Sequence, residues 1–547
     1  KMVQKSQFAI KPNELIKRTQ EVLSNKIGLE KEEDLSEDFV ALIDDDIRYH
    51  TKKSFLEKIA PIFILLIVVA IVLGRLPAVE GVNHSPAYRK RRVFNWLPLG
   101  MTYAFLYMGR YNIKVSQHAF GDKNLLGNDL DVNACGTAGA NMAADLCTPL
   151  MTNPDFAFIF MVGTWVYGCS FIINGPLTDR LGGKFAILTG AGGAAIMNLF
   201  MGLLTWYALN GGEDAQGARS NFRYLMAGLY GANMYFQSFG AVSIVKVNAH
   251  WFHVKERGTF GGIFGILISL GLYFAYDWGG PIADSYGAEW AFYAPTLILL
   301  LFAAIDYFLV HDQPSDAGHA DFDPGDAKLT EDGERIGVAA LAKRMVSNPV
   351  ILTIILIETC SGFVRGGIMK WGFVFAKETG QDWLSGNWGV YLCIAGILGG
   401  VFAGVISDRV FQSRRGPSAV ILYALTSISV AGGAAMIASP LAGVLVLFGI
   451  MSVIGVHGML SGTASMDFGG RKNVGLAVGL IDGMVYLGFG LQSILLGFVL
   501  PTGEEQADPA NWRIWLLVIL PVAVMGLLLS LRIWNAKPQP TKPETKA

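Results

Sequence analysis

The sequence predicts an all-α membrane protein made of two six-helix halves, with one further hydrophobic helix in front of them. Composition is the first of three observations behind this: of 547 residues, 52% are hydrophobic and 16% charged, where a soluble domain carries about 25% charged residues. The second is length. Twelve apolar runs follow residue 90, each roughly 20 residues or longer, enough to cross about 30 Å of hydrocarbon as a helix and too long for barrel strands. The third is a polar stretch, residues 312–348, rich in Asp, Gly and Pro, which leaves six runs on either side. The net charge is −1 and the basic residues are dispersed in short loops. Nucleic acid is thereby excluded as a partner, and the lipid bilayer is the expected setting.

Taken in chain order, residues 1–58 are a polar extension with Glu30-Lys-Glu-Glu-Asp34 and Asp44-Asp-Asp46, and they hold no typical signal peptide. Ile59 to Leu73 is an uncharged 15-residue run between Lys58 and Arg75. Extended through Val79 it forms a hydrophobic helix, 59–79, which the flanking cations can help to span by snorkelling. If it crosses, which is the expectation, the extension lies outside; if it rests in the interface, the extension is cytoplasmic. The N-terminal bundle, 90–311, has spans near 94–118, 156–177, 185–209, 222–245, 259–280 and 288–311. After the central loop, 312–348, the C-terminal bundle, 349–534, has spans near 349–374, 387–407, 417–438, 441–463, 475–500 and 512–534, and a cytoplasmic tail, 535–547, follows.

Loop charge sets the orientation. Alternate loops hold Arg89-Lys-Arg-Arg92, Arg180 and Lys184, Lys255 and Arg257, Arg409, Arg414 and Arg415, and Arg471 and Lys472; the others hold only Lys123, Arg219, Lys377 and Arg513. The first set is cytoplasmic by the positive-inside rule. Residues 119–155 then lie outside with Cys135 and Cys147, the two of five cysteines beyond the apolar spans. A disulfide and two free thiols are both open there.

Two arginines stand deep in apolar runs: Arg110 is 16 residues into the run opening near Phe94, and Arg365 is 14 into the run opening near Ile351. An Arg near the bilayer centre costs roughly 2.5 kcal/mol or more and so faces a partner or a wet cavity. Two at matching depth, in the first helix of each half, point to a shared anion site; the plainer alternative is that each satisfies carbonyls or an acidic neighbour. The halves also share a turn. Gly175-Pro-Leu-Thr-Asp-Arg-Leu-Gly-Gly-Lys184 follows the second span and Gly404-Val-Ile-Ser-Asp-Arg-Val-Phe-Gln-Ser-Arg-Arg-Gly416 the eighth. Asp179, Arg180, Lys184, Asp408 and Arg409 are therefore gating candidates, since an Asp at a helix end can latch a neighbouring helix through its amides and basic groups. Such a repeat marks internal duplication.

These turns resemble the signature of the major facilitator superfamily. Leu106-Tyr-Met-Gly-Arg-Tyr-Asn112, Tyr167 to Arg180, Trp251-Phe-His-Val-Lys-Glu-Arg-Gly258 and Phe363-Val-Arg-Gly-Gly-Ile-Met-Lys-Trp371 look like its organophosphate:phosphate antiporter branch, the glycerol-3-phosphate and hexose-phosphate transporters. The resemblance covers about 90–535 and not the first 90 residues. It implies a twelve-helix fold of two pseudo-symmetric bundles, alternating access, and a phosphate clasped by Arg110 and Arg365, whose forked guanidiniums suit a tetrahedral oxyanion. The chain departs from the branch where Phe171 replaces a lysine, Ile268 a histidine, Tyr111 a lysine, Lys370 an aspartate and Cys393 an acidic residue. The resemblance therefore implies an oxyanion but leaves the substrate open.

Other intramembrane polar groups complete the list. Lys114, four after Arg110, and Lys370, five after Arg365, join Tyr107, Tyr111 and Trp371 as substrate-binding candidates, with Tyr103, Trp165 and Tyr167 as further flanking aromatics. Aromatic stripes in membrane helices also serve packing. Glu358 lies seven residues before Arg365, on the same helical face; it either pairs with Arg365, titrates as a coupling group, or faces water at the rim. His457 and Asp482 are the other coupling candidates, with a packed donor the plainer role for the histidine. Asp277 and Asp306 read as interface residues. With no phosphate-cradling loop and no zinc-ligand spacing, neither an enzyme nor a cofactor nor a metal is expected. The expectation is a multi-pass protein of the cell membrane, most simply a bacterial inner membrane, that moves a small anionic substrate. It would exchange an organic phosphate or similar polyanion for phosphate, or carry it with protons. The alternative is a transporter-like sensor or accessory subunit that engages a protein partner through residues 1–80.

Overall fold

A computed structural model describes residues 84–121, 150–151, 153–253, 267–322, 338–411 and 415–536, which lie in one compact unit, 73–547. The hydrophobic helix expected at 59–79, the extension before it, Cys135, Cys147, Lys255, Arg257 and the tail beyond 536 lie outside the described residues.

Among the described residues twelve long helices follow one another: α1 Pro86–Gly121, α2 Asn153–Leu181, α3 Gly183–Asn210, α4 Phe222–Trp251, α5 267–286, α6 Trp290–Leu309, α7 Pro349–Glu378, α8 Trp388–Val405, α9 Arg415–Ala435, α10 Leu441–His457, α11 Ser465–Val499 and α12 Arg513–Arg532. Local signals set some of the ends. Asn348 caps α7 by accepting from the Val350 amide at 2.9 Å, with Pro349 at the first helical position, where a missing N–H costs nothing. π-turns interrupt α5 at Phe274–Trp278, extend α8 through Ile406–Val410, and extend α10 through Gly458–Ala464. Such bulges are frequent at functional positions.

Among the described residues eight helices are long and apolar enough to cross a membrane by length and composition alone: α2, α3, α6, α7, α9, α10, α11 and α12. For three of the other four expected spans, α1, α4 and α8, the reason they fall outside this measure is visible. In α4 the polar residues Asn233, Gln237, Ser238, Ser243, Lys246 and Asn248 are all buried, so they lower the hydropathy without meeting lipid. α1 dilutes its apolar run with Arg89–Arg92 and Arg110. The apolar part of α8 covers only Trp388–Ala403.

Packing repeats between halves. Within the first half α1 packs on α4, α5 and α6, α2 on α4, and α3 on α4 and α6; within the second α7 packs on α10, α11 and α12, α8 on α10, and α9 on α10 and α12. Each pair maps on its counterpart by adding six to both helix numbers. The halves meet chiefly along α2 against α11 and also along α5 against α8, which exchange under the same rule. Burial follows: the apolar window of α7 is 83% buried, whereas those of α6 and α12 are each 33% buried. Their outward Leu297, Phe308 and Leu528 are exposed, as lipid-facing side chains should be.

The α2–α11 seam depends on glycine. A Cβ on Gly168 would stand 2.7 Å from the Gly483 carbonyl, and one on Gly475 would collide with the carbonyl of Gly175. Only residues without a side chain let the two backbones approach this closely.

Candidate anion-binding site between the two halves

Arg110 is 2% exposed on α1, and three of its five N–H groups are used. Nε donates to Gln237 Oε1 of α4 at 3.0 Å, Nη2 to the Tyr167 hydroxyl of α2 at 2.6 Å, and Nη1 to the Tyr486 hydroxyl of α11 at 3.1 Å. Its guanidinium also lies 4.4 Å from the ring centroids of both Tyr107 and Tyr167. Every one of these partners is neutral. Among the described residues no carboxylate comes within ion-pair distance of Arg110.

A polar network holds this arginine from behind. The Tyr230 hydroxyl donates to the Arg110 carbonyl at 3.0 Å, Asn233 to the Gly109 carbonyl at 3.0 Å, and Gln237 to Asn233 Oδ1 at 3.3 Å. Asn198 of α3 donates to Asn233 at 3.1 Å and accepts from Asn112 at 2.6 Å. Buried polar groups satisfied in this way are rigid, so Arg110 is set in place before any ligand arrives.

Arg365, 5% exposed on α7, is less engaged. Its Nε has no hydrogen-bond partner among the described residues, and its guanidinium lies 5.3 Å from the Phe489 ring of α11. Phe489 and Tyr486 stack at 5.5 Å, which links Arg365 to the hydroxyl that Arg110 holds. Tyr107 and Tyr486 lie within electrostatic range of both arginines. Arg110 and Arg365 thus flank one run of aromatic rings, Tyr486 and Phe489 between them, with Tyr107 on the Arg110 side and Tyr111 stacked on Tyr107 at 5.9 Å. Uncompensated guanidiniums with unmade donors are what a polyanion can satisfy.

Lys370 is 1% exposed, its Nζ makes no hydrogen bond among the described residues, and it lies 4.5 Å from the Phe160 ring and 4.7 Å from that of Trp371. The side chain of Lys114 is outside the described residues. Trp165, a flanking aromatic in the sequence, stands apart: it is 45% exposed and packs over Gly490 in the α2–α11 seam. Glycine leaves the gap its indole fills.

Glu358 does not pair with Arg365, nor does it face water. It is fully buried and bonds through Oε2 to His457 Nδ1 of α10 at 2.8 Å, while Oε1 is unbonded among the described residues. Seven helical residues span about 10 Å of axis, so Glu358 reaches the neighbouring helix more readily than its own arginine. His457 is accordingly a packed partner of a carboxylate. Asp482 of α11 accepts from the Ser461 hydroxyl at the π-turn after α10. Asp306, three residues from the end of α6, is fully buried and accepts from Thr102 Oγ1 at 2.6 Å.

Of the gating candidates, Asp179 carries the contact. It pairs with Lys246 of α4 at 2.9 Å and accepts from the amides of Gly475 and Leu476 in α11, each at 3.3 Å. Arg180 is exposed, and Lys184 donates its amide to Asp312 at 2.8 Å. The side chains of Asp408 and Arg409 lie outside the described residues. Gln237, Tyr486 and Lys246 were missed in the sequence. The available signals were the buried-type polar residues of α4 and the placement of Tyr486 four residues after Asp482, on one helical face.

The family model described as Major Facilitator Superfamily matches residues 99–491. A glycerol-3-phosphate transporter of Bacillus subtilis is 25% identical over 396 residues, covering 68% of this chain and 81% of the relative. A membrane sensor protein, UhpC, of Salmonella typhimurium is 24% identical over 404 residues, covering 72% of this chain and 86% of the relative. Among solved structures, a bacterial homologue of the human lysosomal transporter Spinster, inward-facing and unoccupied, superposes with a TM-score of 0.54 at 13% identity, covering 82% of this chain and 98% of that one. That likeness concerns the fold.

Proposed function

This chain belongs to the Major Facilitator Superfamily, a family of multi-pass membrane transporters rather than enzymes, and on that premise we propose that it is a secondary transporter of an organic phosphate or similar polyanion. The single observation that carries the reading is the pair of buried arginines, Arg110 and Arg365, one from each half, without a carboxylate in ion-pair distance among the described residues. Relatives named as glycerol-3-phosphate and hexose phosphate transporters support the substrate class. An anion drawn between the arginines would pull the halves together and lower the barrier to their rocking. Transport needs no ATP in this mechanism: the gradient of the exchanged ion drives it.

The bundles that do this are 90–311 and 349–534, with Asp179 latching the seam in one state. Glu358, hydrogen-bonded to His457 two helical turns from Arg365, is the coupling candidate if protons are carried. Purified protein in liposomes loaded with phosphate should exchange labelled phosphate, and Arg110→Ala or Arg365→Ala should abolish it. Exchange that survives both substitutions would overturn the arginine site. Uptake insensitive to a pH gradient, or intact in Glu358→Gln, would remove proton coupling and leave anion exchange.

The relative named as a membrane sensor favours a second reading, a receptor that binds the anion without moving it. Stabilisation by phosphate esters without exchange, together with a partner retained through residues 1–80, would decide for it.

A further inference from the structure

A side-chain amide bonded at both its oxygen and its nitrogen has a direction, and four buried amides behind Arg110 share one. The Arg110 Nε–H only donates, so the Gln237 atom that meets it at 3.0 Å is the oxygen. The Gln237 nitrogen then faces Asn233 and donates to Oδ1 at 3.3 Å. That oxygen also accepts from Asn198 Nδ2 of α3 at 3.1 Å, and Asn198 Oδ1 accepts from Asn112 Nδ2 at 2.6 Å. Backbone groups along this relay demand the same direction independently. The carbonyls of Gly109 and Ala194 only accept, and they meet Asn233 Nδ2 at 3.0 Å and Asn198 Nδ2 at 2.8 Å. The Ile113 amide only donates, and it meets Asn112 Oδ1 at 2.8 Å. Turning any one of the four amides over would set donor against donor or acceptor against acceptor.

Asn198 braces this relay from α3. Its neighbours Ile196, Leu199 and Phe200 are exposed, whereas Asn198 itself is fully buried. Gly109 admits it: a Cβ there would stand 3.0 Å from Asn198 Nδ2. Three helices, α1, α3 and α4, are thus joined at the residue next to Arg110. Hydrogen bonds that merely glue helices together need only be satisfied. This relay also ends on the side chain of the arginine, through Gln237 Oε1. With Gln237 reversed, an NH2 group would face a guanidinium that can only donate, and the fork would be pushed from its place.

We propose that Asn233, braced by Asn198, is a positioning residue for anion binding: it fixes which end of Gln237 faces Arg110 and so keeps the guanidinium aimed before the anion arrives. This rests on the reading that Arg110 holds the anion. Both asparagines act through Gln237 rather than on the anion itself.

The test is binding of labelled inorganic phosphate to the full-length protein in liposomes, with thermal unfolding of each variant followed in parallel. Asn233→Leu should weaken binding about three- to tenfold, the worth of one misplaced hydrogen bond, and Gln237→Met should do the same. In the Gln237→Met background, Asn233→Leu should cost less than about twofold more, because no amide is left to orient. A purely structural asparagine would cost the same fold in either background. That result, or wild-type binding in Asn233→Leu or in Gln237→Met, overturns the proposal. Where Asn233→Leu does not fold, Asn198→Ser carries the same cycle with a loss of about two- to threefold, since its hydroxyl can still bond the Ala194 carbonyl but supplies no amide to Asn233. Failure of the underlying site looks different: labelled phosphate would then remain bound after Arg110→Ala and Arg365→Ala.

Discussion

Arg110 of α1 donates to the Tyr486 hydroxyl of α11 at 3.1 Å, a bond between residues 376 apart that crosses from one half of the molecule to the other. The same tyrosine stacks on Phe489, over which Arg365 lies. One neutral hydroxyl and one ring pair therefore stand between the two cations. Tyr486→Phe keeps the ring and removes the hydroxyl, and should weaken anion binding by roughly three- to tenfold, the worth of one hydrogen bond of about 0.5–1.5 kcal/mol. Isothermal titration with phosphate measures this; unchanged affinity would mean that the hydroxyl does not orient Arg110.

The Glu358–His457 contact is buried on both sides, so removing one partner strands the other. His457→Leu should cost about 1–3 kcal/mol of stability. Glu358→Leu in addition should cost less than the sum of the single changes, because the remaining polar group goes too. Thermal unfolding of the four proteins in detergent gives the coupling; strict additivity would show that the contact contributes nothing.

Gly475 and Gly175 form the narrowest part of the α2–α11 seam, where a side chain on one meets the carbonyl of the other. Gly475→Val should disfavour the state in which α2 and α11 close, by about 1–3 kcal/mol, and slow exchange tenfold or more. The expected companion result is greater labelling of a cysteine placed at Ile172, which packs against Gly479 and Gly483 in the same seam. Wild-type exchange would refute the idea that this contact must form in the cycle.

Asp179 and Lys246 are a largely buried pair. Asp179→Asn removes one countercharge of the Lys246 ammonium and weakens acceptance from the Gly475 and Leu476 amides, so a loss of roughly 1–3 kcal/mol of stability is expected. Asp179→Leu with Lys246→Met should recover part of that stability but not exchange activity, since the amides of α11 would lose their acceptor. Recovery of both would reduce Asp179 to a charge partner of Lys246.

The two halves, the depth of Arg110 and Arg365, and the Asp179 turn were legible in the sequence by itself. Hydrocarbon thickness dictates the length of a span, and the cost of a charge in lipid makes each intramembrane arginine conspicuous wherever it stands. The tertiary structure alone decided that Arg110 is held by Gln237, Tyr167 and Tyr486, that Glu358 bonds to His457 rather than Arg365, that Trp165 leaves the site for the seam, and that Lys370 sits in a cage from two helices. Helical spacing tells which residues of one helix share a face, and nothing in it tells which other helix that face will meet. That choice is made by packing: glycines let α2 and α11 close together, and the polar stripe of α4 turns inward towards Arg110.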